Sequence, residues 1–257
     1  MNQPAIGASH SEVLPHIHHA RTLRPFHWLR LGWEDLRQHP GASLGHGLLI
    51  ATFGWVILLL TSTDADLLAA AVSGFLLVGP VVGAAFYELS RRRRAREATT
   101  FDASLDAAMK GARSLAWLGV ILAALALAWA GVSRTLFHTV LDGSPLAITH
   151  SALSTVFDAR NLDFVLAYLG TGAIFAVAAF VISVISAPMI FHRATSTGSA
   201  ILASAKAVAL NPSAMLVWAA LIAVLTAIGF ATFLLGLIVI LPWIGHATWH
   251  AYRDLVD

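Results

Sequence analysis

The sequence predicts a polytopic all-α membrane protein with six transmembrane helices, arranged as three helical hairpins that each follow an amphipathic interfacial helix. Of its 257 residues, 58% are hydrophobic and only 12% are charged. A soluble domain carries about 45–50% apolar and about 25% charged residues. Long apolar segments alternate with short polar segments that hold nearly all of the charge. This pattern is typical of a chain that crosses a bilayer several times.

The chain before the first span divides into a tail and a helix. Residues 1–25 are polar, and their prolines and histidines interrupt any apolar run, so they predict a mobile tail and not a signal peptide. The next segment, 26–39, has apolar residues at helical spacing and is predicted to lie in the membrane interface. These apolar residues are Phe26, Leu29, Trp33 and Leu36. Residues 26–257 are predicted to form a single transmembrane domain.

Six segments are long enough to cross roughly 30 Å of hydrocarbon, which takes about 20 residues. They are 42–61, 66–88, 114–132, 163–190, 213–231 and 233–250. The last two belong to one uncharged apolar run, 213–250. Because a helix rises about 1.5 Å per residue, that run is too long for one span, and a tight turn near residues 229–233 is predicted. Five helices are the alternative.

The basic residues fall almost entirely on one side of the predicted spans. All but two of the 16 Lys and Arg residues lie in the N-terminal region, in the loops after the second and fourth spans, or in the C-terminal tail. The positive-inside rule therefore predicts that both termini are cytoplasmic. The run Arg91–Arg94 is predicted to anchor this topology and to touch anionic headgroups. Because the charge follows topology, it does not predict binding to nucleic acid.

The three predicted hairpins resemble one another. Amphipathic stretches at 36–42 and 208–214 end in a polar residue, a proline and small residues, and the middle copy at 108–115 lacks the proline. The second span of each pair carries one proline, namely Pro80, Pro188 or Pro242. We therefore predict a threefold repeat. Its units are about 26–98, 99–196 and 197–257. The alternative is that proline and glycine are simply common in membrane helices.

Two pairs of glycines have the spacing that permits close helix contact. They are Gly41 with Gly45 and Gly79 with Gly83. The small-xxx-small pattern lets two backbones approach, so these glycines are predicted to be packing positions.

Aligning the repeats on their prolines predicts one cluster of metal-ligating side chains near the cytoplasmic surface. Its members are Glu88, His192, His246 and His250. The i, i+4 spacing of His246 and His250 places both imidazoles on one helical face, where they can share an ion. Such a set suits zinc, iron, nickel or copper(II), or a haem held by histidine. The alternative is that these are interfacial histidines, hydrogen-bonded to backbone, headgroups or one another.

Other chemistry is poorly represented in the sequence. The chain contains no cysteine, which rules out disulfides, thiolate zinc sites and cysteine nucleophiles within it. It has no nucleophile elbow, phosphate loop or dinucleotide fingerprint. No charged residue falls in the middle of a span, which disfavours ion-coupled transport. Passive passage of a small neutral solute or lipid between the hairpins remains a further hypothesis.

Three blocks of sequence resemble a known family. They are PFHWLRLGWEDL at 25–36, VSGFLLVGP at 72–80 and GHATWHAYRDL at 245–255. Over residues 25–257 the chain resembles the bacterial integral membrane family catalogued as domain of unknown function 2189, whose members have no established activity and are sometimes labelled cytochrome c oxidase subunits. The resemblance implies a bacterial inner-membrane location and assigns no catalytic residue. Together with the absent catalytic motifs, it favours a non-enzymatic accessory or assembly protein for respiratory complexes.

Overall fold

The computed structural model describes residues 15–63, 65–140 and 162–256, and nearly all of them are helical. The helices are α1 (Arg24–Gln38), α2 (Pro40–Thr61), α3 (Ala65–Val82), α4 (Ala84–Ala95), α5 (Phe101–Val140), α6 (Leu162–Ser183), α7 (Ser186–Arg193), α8 (Thr197–Leu210), α9 (Pro212–Ala231) and α10 (Leu237–Leu255). The described ranges contain no β-strand, and their one extended pairing is an isolated bridge between Ile17 and Val256. The all-α prediction is confirmed.

Within these ranges, four helical segments are long and apolar enough to cross a membrane. They are Pro40–Thr61, Phe101–Thr139, Leu162–Arg193 and Pro212–Ala231, and they correspond to the first, third, fourth and fifth predicted spans. Large apolar side chains on these helices face outward, as lipid contact requires; examples are Leu60, Leu127 and Leu169. The second predicted span corresponds to α3 and part of α4, which are separated at Gly83. The sixth corresponds to α10, whose last turns are polar.

Prolines decide where the amphipathic helices end. His39 and Asn211 each leave the helical conformation just before a proline, with φ, ψ of −133°, 60° and −130°, 48°. The prolines Pro40 and Pro212 then occupy the first position of α2 and α9, where a missing N–H costs no helical hydrogen bond. The middle copy lacks the proline, and there the amphipathic segment and the span run on as one helix of 40 residues. The repeat itself stays a prediction.

The polar residues gather at one end of the bundle, which we call the polar layer. It consists of α1, α4, α7 and α8 with residues 101–113 of α5 and 245–255 of α10. The C-terminal part of α10 lies at its centre, between α1, α2 and α4. Two glycines permit the close packing of α10: a Cβ at Gly32 would lie 2.7 Å from the Ala247 nitrogen, and one at Gly47 would overlap the carbonyl oxygen of Ile238, near the start of α10.

The predicted interfacial helix uses its apolar residues differently from what we expected. Leu29 and Leu36 are buried, and α1 packs on α10. Phe26 and Trp33 remain exposed, at 52% and 38% of their surface. The apolar face of α1 is therefore divided between a neighbouring helix and the surroundings, because a helix can cover an apolar face as well as lipid can.

The part of the predicted tail that the structure describes packs against the end of α10 and against Asn211, which lies between α8 and α9. Ile17 is buried and pairs with Val256, and the His18 amide donates to the Leu255 carbonyl at 2.9 Å. The Asn211 side chain accepts from the Ala20 amide at 2.7 Å and donates to the His18 carbonyl at 3.1 Å. The rest of the predicted tail, residues 1–14, lies outside the described ranges.

Candidate functional site

The predicted metal-ligating residues lie in the polar layer on three helices. Glu88 is on α4, His192 on α7, and His246 and His250 on α10. Each side chain contacts a different set of partners.

Glu88 is held by the arginine run. Its carboxylate is 4% exposed and accepts two hydrogen bonds from the Arg91 guanidinium, at 2.8 and 2.9 Å, and one from Arg92 at 2.6 Å. Arg91 also donates to Glu97 at 2.8 and 3.1 Å. Spacings of three and four residues place Glu88 beside both arginines on one face of α4. Arg91 and Arg92, which were predicted to touch headgroups, are thus paired with a carboxylate of the protein.

His192 joins α7 to α10. Its Nδ1 atom lies 3.0 Å from the hydroxyl oxygen of Tyr252. Its ring packs edge-on against the Trp249 ring, with 5.1 Å between the ring centroids. The Arg193 guanidinium lies over the Tyr252 ring, 6.0 Å from its centroid. This is an aromatic contact between two helices, with one hydrogen bond.

His246 belongs to a directed chain of hydrogen bonds. Its Nδ1 atom lies 2.8 Å from the Ser90 hydroxyl, and its Nε2 atom lies 2.9 Å from the Ser43 hydroxyl. Ser90 has one hydroxyl proton and donates it to Asp35 Oδ2 at 2.5 Å. Ser90 must therefore accept from His246 Nδ1–H, and neutral His246 then accepts from Ser43 at Nε2. The chain runs from Ser43 through His246 and Ser90 to Asp35.

Asp35 on α1 is where the polar contacts converge. It is 3% exposed, accepts a further hydrogen bond from His250 Nε2 at 2.9 Å, and forms an ion pair with Arg93. Arg93 also donates to the Gln38 side chain at 2.8 Å. Sequence reasoning missed Asp35 as a site residue, although one signal was present. It shares the helical face that buries Trp28, Leu29, Gly32 and Leu36, and a carboxylate on such a face requires partners.

A second polar pair lies close to this chain, between α2 and α5. His46 Nε2 donates to the Ser104 hydroxyl at 2.8 Å, because Ser104 gives its own proton to the Thr100 carbonyl at 2.9 Å. The His46 ring stacks on Phe101 with 4.3 Å between ring centroids. Both His46 and Ser104 are buried. The pair fixes the start of α5 against α2.

The described residues do not gather a metal-binding group. Among them, no cluster of three or more His, Cys, Asp or Glu side chains has a geometry that could hold a metal ion. His246 and His250 share one helical face, as predicted, but that face is turned toward Asp35 and Ser90. The metal or haem site stays a prediction. The arrangement that is present is a buried network tying α1, α2, α4 and α10 together.

Comparison with known proteins bears on the family. Residues 67–192 match the model of a family described as predicted integral membrane protein (DUF2189). The matched stretch runs from α3 to α7 and contains the block at 72–80; the blocks at 25–36 and 245–255 lie outside it. No curated protein and no solved structure gave a match. Over residues 67–192, just under half of its length, the chain matches the DUF2189 family of predicted integral membrane proteins, which confirms the resemblance over that stretch.

Proposed function

We propose that the protein is a non-enzymatic accessory or assembly protein of the bacterial inner membrane, and that its polar layer forms a rigid surface on the cytoplasmic side. The observation that carries this proposal is how the buried titratable groups are used. Asp35, Glu88 and His246 are each at most 4% exposed, and each is bonded to other side chains. A catalytic acid or base has to reach a substrate. These groups hold helices together instead, and a satisfied network of this kind rigidifies a fold.

The two ends of the chain support an even number of membrane crossings. Ile17 pairs with Val256, and Arg24 donates two hydrogen bonds to Asp254 at 2.7 and 2.8 Å. These contacts support a placement of the segments before the first span and after the last on the same side. An odd count would separate them by the thickness of the bilayer.

We infer that α3 is the second span and that residues 233–250, the turn before α10 and most of α10, are the sixth, whose cytoplasmic end lies in the polar layer. At about 1.5 Å per residue, the 18 residues of α3 extend about 27 Å, close to the roughly 30 Å of a hydrocarbon core. This helix packs along α2 and α5. α10 follows α9 after a turn at residues 232–236, where Phe233 and Leu234 have φ of 52° and 66°. With the four apolar helices, α3 and α10 bring the count to six.

The natural absence of cysteine makes this topology easy to test. Single cysteines at Ser62 and Phe233 are expected to react with a membrane-impermeant maleimide in intact spheroplasts. A cysteine at Ala98 is expected to react only after the membrane is permeabilised. Labelling of the two cysteines from opposite sides would show an odd number of crossings between residues 62 and 233 and would contradict the assignment of α3 as a span. Labelling of the Ala98 cysteine from outside would reverse the orientation.

The accessory role is tested in the bacterium that carries the protein. Deleting the gene is expected to lower the amount of assembled respiratory complex on native gels, and the wild-type gene is expected to restore it. Mild purification of the full chain should also recover a defined complex containing a respiratory subunit. Unchanged complexes in the deletion strain, together with a lone monomer or homo-oligomer after purification, would contradict this role.

A further inference from the structure

A cleft lies at the junction of α1, α4 and α10, on the outer side of the buried network. Its volume is about 200 Å³, and charged and polar side chains dominate its walls. We call it the basic cleft, defined by Arg24, His27, Arg94, His250, Arg253 and Asp254. We propose that the basic cleft binds the phosphate group of an anionic ligand.

The charge balance of the cleft is positive. Asp254 is the one carboxylate among the residues that line it. That carboxylate is already neutralised, because Arg24 donates to both of its oxygens and the Trp28 indole N–H donates to Oδ2 at 2.9 Å. Arg94 and Arg253 then remain, and within the described part of the chain neither forms an ion pair with a carboxylate. Two guanidinium groups therefore face the cleft with their charge uncompensated.

The position of Arg94 distinguishes it from the rest of the arginine run. Arg91 and Arg92 are paired with Glu88, and Arg93 is paired with Asp35. Arg94 is exposed and lines the basic cleft. One arginine of the four is thus directed to an external ligand, while the others hold the polar layer together.

The chemistry of the walls matches a phosphate group. A guanidinium presents a planar fork of N–H donors that can hold two phosphate oxygens at once. The cleft is much larger than the space one water molecule requires. Burial lowers the pKa of His27, and the charges of Arg24 and Arg30 lower it further.

Two sources could supply this phosphate: an anionic lipid headgroup or free phosphate in solution. The lipid source rests on the proposed placement of the polar layer at the bilayer surface, whereas the free source does not depend on it. A headgroup would enter beside the exposed aromatic face of α1, which carries Phe26 and Trp33.

The test uses the purified full chain in a non-ionic detergent and in nanodiscs. Inorganic phosphate is titrated by calorimetry in detergent. In parallel, the protein is placed in phosphatidylcholine nanodiscs that also contain phosphatidylglycerol. Native mass spectrometry then measures how much phosphatidylglycerol stays bound to the protein when the nanodisc is removed. The variants are Arg94→Gln and Arg253→Gln. The matched control is Arg37→Gln, because Arg37 is an exposed arginine on α1, in the polar layer but outside the cleft. Circular dichroism checks that all four proteins are folded.

Wild-type protein is expected to bind in at least one arm. Each cleft variant is expected to weaken that binding about tenfold, the loss that corresponds to one charge-assisted contact, while Arg37→Gln binds as wild type does. Binding of phosphatidylglycerol alone identifies a headgroup, and binding of inorganic phosphate identifies a free anion. Binding in neither arm, or equal binding by Arg94→Gln, Arg253→Gln and wild type, would overturn the proposal. A topology found to be wrong would remove only the lipid source.

Discussion

Replacing Asp35 by alanine is the most direct test of how the polar layer is held together. The carboxylate of Asp35 is 3% exposed and accepts hydrogen bonds from Ser90 at 2.5 Å and from His250 at 2.9 Å. It also carries the ion pair with Arg93. Removing it leaves the buried Ser90 hydroxyl, the partly buried His250 ring and the Arg93 guanidinium without their acceptor. The helices α1, α4 and α10 lose their common contact.

The size of the effect follows from these contacts. An unsatisfied buried donor costs about 1–3 kcal/mol, and removing one partner of a buried ion pair costs about 3–5 kcal/mol. The side chain of Arg93 is 26% exposed and can turn toward water, which reduces the second value. We therefore expect Asp35→Ala to lower the free energy of unfolding by about 3 kcal/mol. Asp106→Ala is the matched control: that carboxylate is 63% exposed and pairs with an exposed lysine, so the loss should stay below about 0.5 kcal/mol.

Unfolding is measured in mixed micelles of non-ionic detergent and dodecyl sulfate by tryptophan fluorescence, since Trp28 and Trp249 are buried in the same layer. A double-mutant cycle with Ser90→Ala separates the network from a general effect of the substitution. Because Asp35 and Ser90 are directly bonded, the two losses should fall short of additivity by at least about 0.5 kcal/mol. If Asp35→Ala unfolds like the Asp106→Ala control, the carboxylate does not hold the layer together and the reasoning fails.

Three further predictions follow from other contacts. Gly47→Ala should destabilise the protein by about 1–3 kcal/mol, since its Cβ would overlap the backbone of α10, whereas Gly41→Ala has open space and should change little in the same unfolding assay. Burial alone would raise the pKa of Asp254, but the hydrogen bonds from Arg24 and Trp28 outweigh it and the pKa falls below 3.8. This carboxylate therefore stabilises the folded state above its unfolded pKa, near 4, and that stabilisation is lost as the pH falls through the lower folded value. The Asp254→Asn variant should lose less stability than wild type between pH 5 and 3. The same loss in both proteins would contradict this. Elemental analysis and an optical spectrum of the pure protein should show neither stoichiometric metal nor haem; a bound metal that is lost in His246→Ala would show that the predicted site exists.

Local chemistry made the helix boundaries readable from the sequence. Proline removes a helical donor and displaces the preceding residue, so the breaks at His39 and Asn211 depend only on neighbouring residues. The same reasoning locates the polar layer, because charges cannot lie in hydrocarbon. The predicted turn near residues 229–233 corresponds to the one at 232–236.

Contacts between distant segments could not be read in this way. Spacing singled out Gly41 with Gly45 and Gly79 with Gly83. A Cβ at Gly41 or Gly79 would meet nothing within 4 Å, whereas one at Gly45 would lie 3.0 Å from the Phe101 ring and one at Gly83 would lie 2.7 Å from the Tyr87 hydroxyl, both of which are side chains. The close approaches to the backbone of another helix occur at Gly32 and Gly47 instead, because they depend on which helix crosses at that position. Asp35 lies 55 residues from Ser90 and 215 from His250. A single sequence contains no signal for pairs so far apart.

The two histidines of α10 show how the structure uses the spacing from which the metal site was predicted. Their i, i+4 spacing places them on one face, and both direct a proton toward Asp35, His246 through Ser90 and His250 directly. A metal ion needs the unprotonated nitrogen of each imidazole. On His246 that nitrogen already accepts from Ser43. Binding a metal there would require breaking the chain of hydrogen bonds and leaving Asp35 with fewer donors, so a shared carboxylate on α1 accounts for the spacing without any ion.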